Sequence, residues 1–384
     1  MIALTAARLY TPLELVEQPL VLVDAGIVVE VASRASRPLP GCRITDFGDA
    51  VLAPGFVDIH IHGGSGHDVM EDDPAALSAF EHSLVAHGVC SYFPTTVTAP
   101  LDRTLAALER LGKAIEGAPL GNEGRARPLG IHLEGPFISH ARRGVHPSEL
   151  LLPPSVPMFE RFWQAAGGHI RVMTIAPELD GTSEVIAEAS RRGVCVSLGH
   201  SDADLAAARR GVAAGARHAT HTFNAMRPLG HRDPGILGEV LTNSRVTADI
   251  IADGIHLDPA VVELFLRCKG LEAAVLITDA IAATGMPDGR YRLGSLEVEV
   301  KAGRCLFEGK LAGSVLTMDR ALRNVMEFAG WDLGQAVRAA ALNPARVTGF
   351  VSKKGSIAPG MDADMVVLSA AGHVLKTIVH GVVQ

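Results

Sequence analysis

Cysteine is scarce in this sequence. The five, Cys42, Cys90, Cys195, Cys268 and Cys305, are odd in number, and no two are spaced as CxxC. That pattern argues against a disulfide framework and a thiolate metal site, and leaves buried, reduced thiols as the expectation. Dense charge of one sign is missing too. The 384 residues carry a net charge of −7 and no block of Lys and Arg. This argues against nucleic acid or an anionic membrane surface as the main partner. A small anionic ligand held by one or two local Arg stays open. No apolar run reaches the length of about 18 residues that a membrane span needs. The segment Met1 to Tyr10 has no basic stretch leading into an apolar one, so a cytoplasmic protein is expected. What is present is bulk. With 48% hydrophobic and 20% charged residues, the chain suits a large barrel plus a smaller unit, or two ordinary domains.

Both ends read as short strands. LVLVDAGIVVEV, near the start, is two apolar runs around a glycine turn, a hairpin signal. GSIAPGMDADMVVLSAAGHVLKTIVHGVVQ, at the other end, alternates short β-rich runs with Gly and Asp turns. Neither piece is large enough for a good core. The simplest solution packs 1–53 and 355–384 together as one small β-sandwich domain, with 54–354 inserted between them.

The inserted part alternates strands with helical stretches. Candidate strands are GFVDIHIHG, VCSYFPTT, LGIHLEG, IRVMTIAPE, VCVSLGH, ARHATHTFN, RVTADIIADG and AAVLITDA, and stretches such as PAALSAFEHSLVAHG and DADLAAARRGVAAG separate them. Eight such repeats predict an α/β fold, a (β/α)8 TIM-type barrel with its chemistry at the C-terminal strand ends. Polar residues fall at those ends: His60, His62, Glu134, His200, His221, His256 and Asp279. A glycine-rich, β-like insert follows the eighth strand, at about 285–313.

His60 and His62 are two apart on a strand, so they share a face and can chelate one divalent ion. Glu134 at the third strand end can bind one metal, bridge two, or serve as a structural ion pair. His132 shares its parity and reads as packing or support. His200 and His221 end strands five and six. With Glu134 they make an oxygen-plus-two-nitrogen set that suits a catalytic zinc or iron. His218, three before His221, points to the other face. Asp279 ends strand eight. A carboxylate beside such a site can take a proton from water and return it to a leaving group, or it can simply cap the next helix.

PGFVDIHIHGG, HLEGPF with RRGVHP downstream, SLGHSDA, THTFNAMRPLGHRDPG, ADGIHLD, ITDA and LAGSVLTM occur in that order. In these segments the chain resembles the amidohydrolase superfamily and, within it, the N-acetylglucosamine-6-phosphate deacetylase family, over essentially its whole length. The resemblance implies that Glu134, His200 and His221 hold the main divalent metal and that Asp279 is the acid/base. Members differ at the first-strand pair. This sequence keeps both His60 and His62, so one or two ions per subunit are implied, with Glu134 as the bridge. The carboxylated lysine of many superfamily relatives has no place here; Glu134 stands in its position. Zn leads the metals, with Fe, Mn or Co as alternatives.

Substrate contacts follow from the same resemblance. Val145 and His146 would meet the acetamide or sugar. Asn224 and the Ala225 backbone would hold a phosphate. Arg232 would pair with that phosphate from the neighbouring subunit of a homodimer. His256 would bind sugar or phosphate, and Leu311, Ala312 and Gly313 would line the pocket. The implied reaction is hydrolysis of the acetamide of N-acetyl-D-glucosamine 6-phosphate in amino-sugar metabolism. The galacto epimer, a cyclic-amide hydrolase or deaminase, and a non-catalytic scaffold on the same fold stay open.

Overall fold

The computed structural model describes residues 1–35, 41–118 and 124–384. All eight expected strands form: β1 (Phe56–Ile61), β2 (Val89–Thr96), β3 (Ile131–Glu134), β4 (Ile170–Ile175), β5 (Cys195–Leu198), β6 (His218–Ala219), β7 (Ala248–Ile251) and β8 (Ala274–Ile277). Strands β1 to β6 pair in sequence order and β7 pairs with β8, all in parallel. Backbone hydrogen bonds join the two groups. Ala219 N reaches Thr247 O at 3.0 Å, and Thr222 N reaches Asp249 O at 2.9 Å, which seams β6 to β7. Asp279 N reaches His60 O at 2.9 Å, which seams β8 to β1. The sheet thus closes as a TIM-type barrel with no free edge.

Some of the helices start at a side-chain cap. Asp73 accepts from Ala75 N at the head of Pro74–Val85, and Asp204 accepts from Ala207 N at the head of Leu205–Ala214. Along β1, Val57, Ile59 and Ile61 join the apolar core. Asp58, His60 and His62, of opposite parity, point inward, and all three are buried. After β8 the chain makes an antiparallel sheet of four strands, Gly289–Leu293, Leu296–Lys301, Arg304–Phe307 and Lys310–Leu311.

The chain ends meet in two facing sheets. Ile27–Ser33, Pro19–Asp24, Ile2–Thr5 and Arg43–Asp46 form one, in that order. The other runs Val382–Val383, Val374–Val379, Met365–Leu368, Val51–Pro54, Arg8–Tyr10 and Leu15–Glu17. Leu4, Val21 and Val28 from the first pack with Leu9, Leu52, Met365 and Ile378 from the second, giving the small β-sandwich its own core. Among the described residues, no helix is long and apolar enough to cross a membrane. All five cysteines are free. Cys90 and Cys305 are buried, as the composition predicts, but Cys268 is exposed on helix Pro259–Ala273. Its helical position faces away from the barrel, which residue type alone does not reveal.

Candidate active site

The polar residues expected at the strand ends converge on one point at the barrel mouth. Glu134 Oε1 lies 3.2 Å from His200 Nε2, 3.0 Å from His221 Nε2 and 3.4 Å from His60 Nε2. Glu134 Oε2 is 3.4 Å from His62 Nε2. Asp279 Oδ1 is 3.1 Å from His62 Nε2 and 3.5 Å from His60 Nε2. The Nε2 atoms of His200 and His221 are 3.1 Å apart, and those of His60 and His62 3.2 Å apart.

Three of these side chains reach the centre from unusual backbone. His200, His221 and Asp279 have φ of 46°, 29° and 50°, in the left-handed region that non-glycine residues seldom enter. Each turn has a hold. The N–H of His221 donates to Asp249 Oδ1. After His200, the Ser201 hydroxyl and Asp202 N donate to Glu178 at 2.7 and 2.6 Å. Beside Asp279, the Thr278 hydroxyl donates to the buried Asp58 at 2.6 Å.

The donor set fits a divalent cation. His62 Nδ1 faces Thr95 O at 2.9 Å, and His200 Nδ1 faces Arg142 O at 3.0 Å. A carbonyl only accepts, so these imidazoles carry their proton on Nδ1 and turn an Nε2 lone pair to the centre. Lone pairs and two carboxylates this close repel one another unless positive charge sits among them. Without a cation, protons supply that charge. Burial opposes a proton on His62, but hydrogen bonds and charge from Asp279 and Glu134 overcome it and lift its pKa to about 10. Burial opposes His221 as well, yet Glu134 lifts it to about 9. For His200 burial wins, and its pKa falls to about 4. Burial pushes Asp279 up, but His62 and the charge of His60 draw it down to about 2. A divalent ion competes with these protons for the same atoms.

Ligand-type atoms of three residue sets lie within 4.8 Å of one another: His60, His62 and Asp279; His60, Glu134 and His221; Glu134, His146 and His200. His146 differs from the other histidines. Its Nδ1 accepts from Thr98 N at 3.2 Å and pairs with the Thr98 hydroxyl at 2.8 Å. The proton therefore sits on Nε2, which points into the site as a donor, not a ligand. His132 and His218 stay out of the cluster. His132 Nδ1 donates to Ile59 O at 2.9 Å, and Nε2 meets the Thr174 hydroxyl at 2.8 Å. His218 Nε2 pairs with Asp249 at 2.8 Å.

A cavity of about 230 Å³ opens over the cluster. His62, Glu134, His200, His221 and Asp279 form its base. Val145, His146, Asn224, Ala225 and His256 line it, as do Leu311, Ala312 and Gly313. The Asn224 amide nitrogen is buried and, among the described residues, has no hydrogen-bond partner. His256 Nδ1 pairs with Asp253 at 2.7 Å, which fixes the ring. Arg232 is exposed and does not line this cavity. Sequence reasoning missed Val97, Leu293 and Leu296, which also line it. It missed Asp249, Thr98 and Glu178 as supports, since their partners lie far away in sequence, and Asp253, which stands only three residues before His256. A larger cavity of about 400 Å³ lies outside the barrel, between helices Pro74–Val85 and Leu101–Glu116, and contains none of the cluster.

Similarity to known proteins agrees with this geometry. The chain is 41% identical over 351 residues to the N-acetylglucosamine-6-phosphate deacetylase of Bos taurus, covering 88% of this chain and 84% of that protein. It is 38% identical over 348 residues to the N-acetylgalactosamine-6-phosphate deacetylase of Escherichia coli O157:H7, covering 90% and 91%. Its fold matches the structure of a mutant N-acetyl-D-glucosamine-6-phosphate deacetylase from Mycobacterium smegmatis in complex with N-acetyl-D-glucosamine-6-phosphate. The TM-score is 0.93 and the identity 34%, over 100% of this chain and 98% of that one. Residues 51–383 match the amidohydrolase family across the strands that build the cluster, and the chain belongs to that family.

Proposed function

We propose that this chain hydrolyses the acetamide of N-acetyl-D-glucosamine 6-phosphate to acetate and D-glucosamine 6-phosphate. The observation that carries the reading is one cavity with Asp279 and the Glu134–His200–His221 cluster at its base and the unpartnered Asn224 amide on its wall. The names of the relatives supply the sugar phosphate.

Glu134, His200 and His221 would hold the essential divalent metal, with Zn first and Fe, Mn or Co as alternatives. His60 and His62 would offer nitrogen ligands to a second ion. The metal, when bound, supplies Lewis acidity that activates water and polarises a carbonyl. Asp279 is charged at neutral pH. It takes a proton from the attacking water and delivers it to the departing amine nitrogen. His146 donates its Nε2 proton to the acetamide oxygen as negative charge grows there. Asn224 and the Ala225 backbone hold the phosphate, His256 a sugar hydroxyl or the phosphate, and Val145 with Leu311, Ala312 and Gly313 shape the pocket.

The proposal includes a cytoplasmic homodimer. Arg232 is exposed and lies outside its own chain's cavity, which suits a contact with the phosphate bound in a second copy. A permanently charged, forked guanidinium suits that contact. The same proposal divides the chain into a barrel over 54–354, carrying the insert at about 285–313, and a small domain from 1–53 and 355–384.

The test is acetate release from N-acetylglucosamine 6-phosphate, its galacto epimer and the unphosphorylated sugar, with metal quantified on the same sample. Turnover of the phosphorylated gluco substrate is expected to dominate. Equal kcat/KM with and without phosphate removes the phosphate claim, and faster turnover of the galacto epimer reassigns the sugar. No turnover by metal-loaded protein leaves a binding role on this fold.

A further inference from the structure

The cavity lining is of two kinds. One is the charged cluster with Asn224 and His256. The other is apolar and includes Val97, Val145, Leu293 and Leu296. Val97, Leu293 and Ala312 belong to a hydrophobic cluster separate from the barrel core, and Val145 packs against it. Leu293 and Leu296 flank the first turn of the four-stranded insert, paired across it.

That turn is clamped. Gly294 N donates to Asp68 Oδ2 at 2.7 Å, and the other oxygen of the buried Asp68 accepts from Met70 N at 2.8 Å. Asp68 pairs with Gly63, the residue after His62, so the clamp is built onto the short hairpin that follows β1 and His62. Gly294 has φ 58°, and a Cβ there would lie 2.3 Å from Val97 Cγ2. The turn therefore sits directly on Val97, and only glycine allows that approach.

Amide hydrolysis fixes how a substrate divides between these two kinds of lining. The carbonyl must reach the cluster. The nitrogen continues into a polar sugar, toward Asn224 and His256. The remaining substituent on the carbonyl carbon is the acyl chain, an apolar group beside the reacting centre. We infer that the wall of Val97, Leu293 and Leu296 measures the length of that chain, and that the Asp68–Gly294 clamp sets its depth. This rests on the deacetylase reading above. A methyl fits against the wall, and each further methylene meets Val97 or Leu293.

The experiment compares kcat/KM for the N-acetyl, N-propionyl and N-butyryl forms of glucosamine 6-phosphate. It uses the metal-loaded wild type and the variants Leu293→Ala, Leu296→Ala and Asp68→Ala. The readout is the ratio of longer-acyl to acetyl substrate within each protein, so a smaller folded fraction cancels. One methylene in an apolar pocket is worth about 10–200-fold. The wild type should disfavour each added methylene by about tenfold or more. The two leucine variants should raise the ratio by about tenfold, and Asp68→Ala should raise it less. A wild type indifferent to acyl length, or ratios unchanged in all three variants, overturns the inference. No acetate release by the loaded wild type overturns the deacetylase reading itself, and the acyl wall with it.

Discussion

His60 and His62 reach the cluster from the end of β1 and the residue just past it, without positive φ, whereas His200, His221 and Asp279 reach it from left-handed turns just past β5, β6 and β8. On the strand, side-chain alternation alone aims the imidazoles. At the turns, each residue holds backbone that costs about 1–3 kcal/mol, and the surroundings must supply it. Asp249 grips the N–H of His221, Glu178 grips the residues after His200, and Asp58 grips Thr278 beside Asp279. The strained side is the one proposed to do the essential chemistry. The regular side is proposed as the optional half, which decides whether a second ion binds.

The largest break in this comparison should come from Asp279→Asn, which keeps the shape and removes the base. Its kcat should fall by about 10²- to 10⁴-fold with metal content unchanged. A near wild-type kcat would place the proton transfer elsewhere. Next, His60→Gln combined with His62→Asn should lower bound metal, measured by elemental analysis, yet leave measurable activity. Complete loss would make the strand-borne pair the essential half. Asp249→Asn tests a hold rather than a ligand. Metal affinity should weaken by about 10–100-fold, read by competition with a chromogenic chelator; an unchanged affinity would mean the His221 turn supports itself. The smallest effect is expected from Thr278→Val, which leaves Asp58 buried without its hydroxyl partner. Stability should drop by about 1–3 kcal/mol in denaturant titration, with metal affinity intact.

The contrast between strand and turn also explains what could be read in advance. The eight barrel strands were legible because each is a short apolar run bounded by turn residues, and the inward set on β1 followed from parity. His200, His221 and Asp279 were legible as residue types at strand ends, though their left-handed backbone was not. The tautomers of His62 and His200 depend on the carbonyls of Thr95 and Arg142, and a backbone carbonyl has no sequence signature. Val97, Leu293 and Leu296 carry no sequence signal that sets them apart from other apolar residues. Their place on the cavity wall emerges only when the insert folds back and Gly294 finds Asp68. Cys268 shows the same gap in miniature: residue type set an expectation of burial, and its helix face decided otherwise.

The six-stranded sheet of the small sandwich pairs Val51–Pro54 with Met365–Leu368, strands separated in sequence by the entire barrel. During synthesis the early strand emerges long before its neighbour exists. For that interval Val51–Pro54, apolar and buried in the finished molecule, presents an open β edge, the kind of surface that pairs with other chains. Closing so distant a contact carries a large loop entropy until the barrel itself brings the ends together. Barrel assembly is therefore the step that protects the nascent chain from aggregation, and variants that slow it should lower soluble yield before they lower the stability of the finished fold.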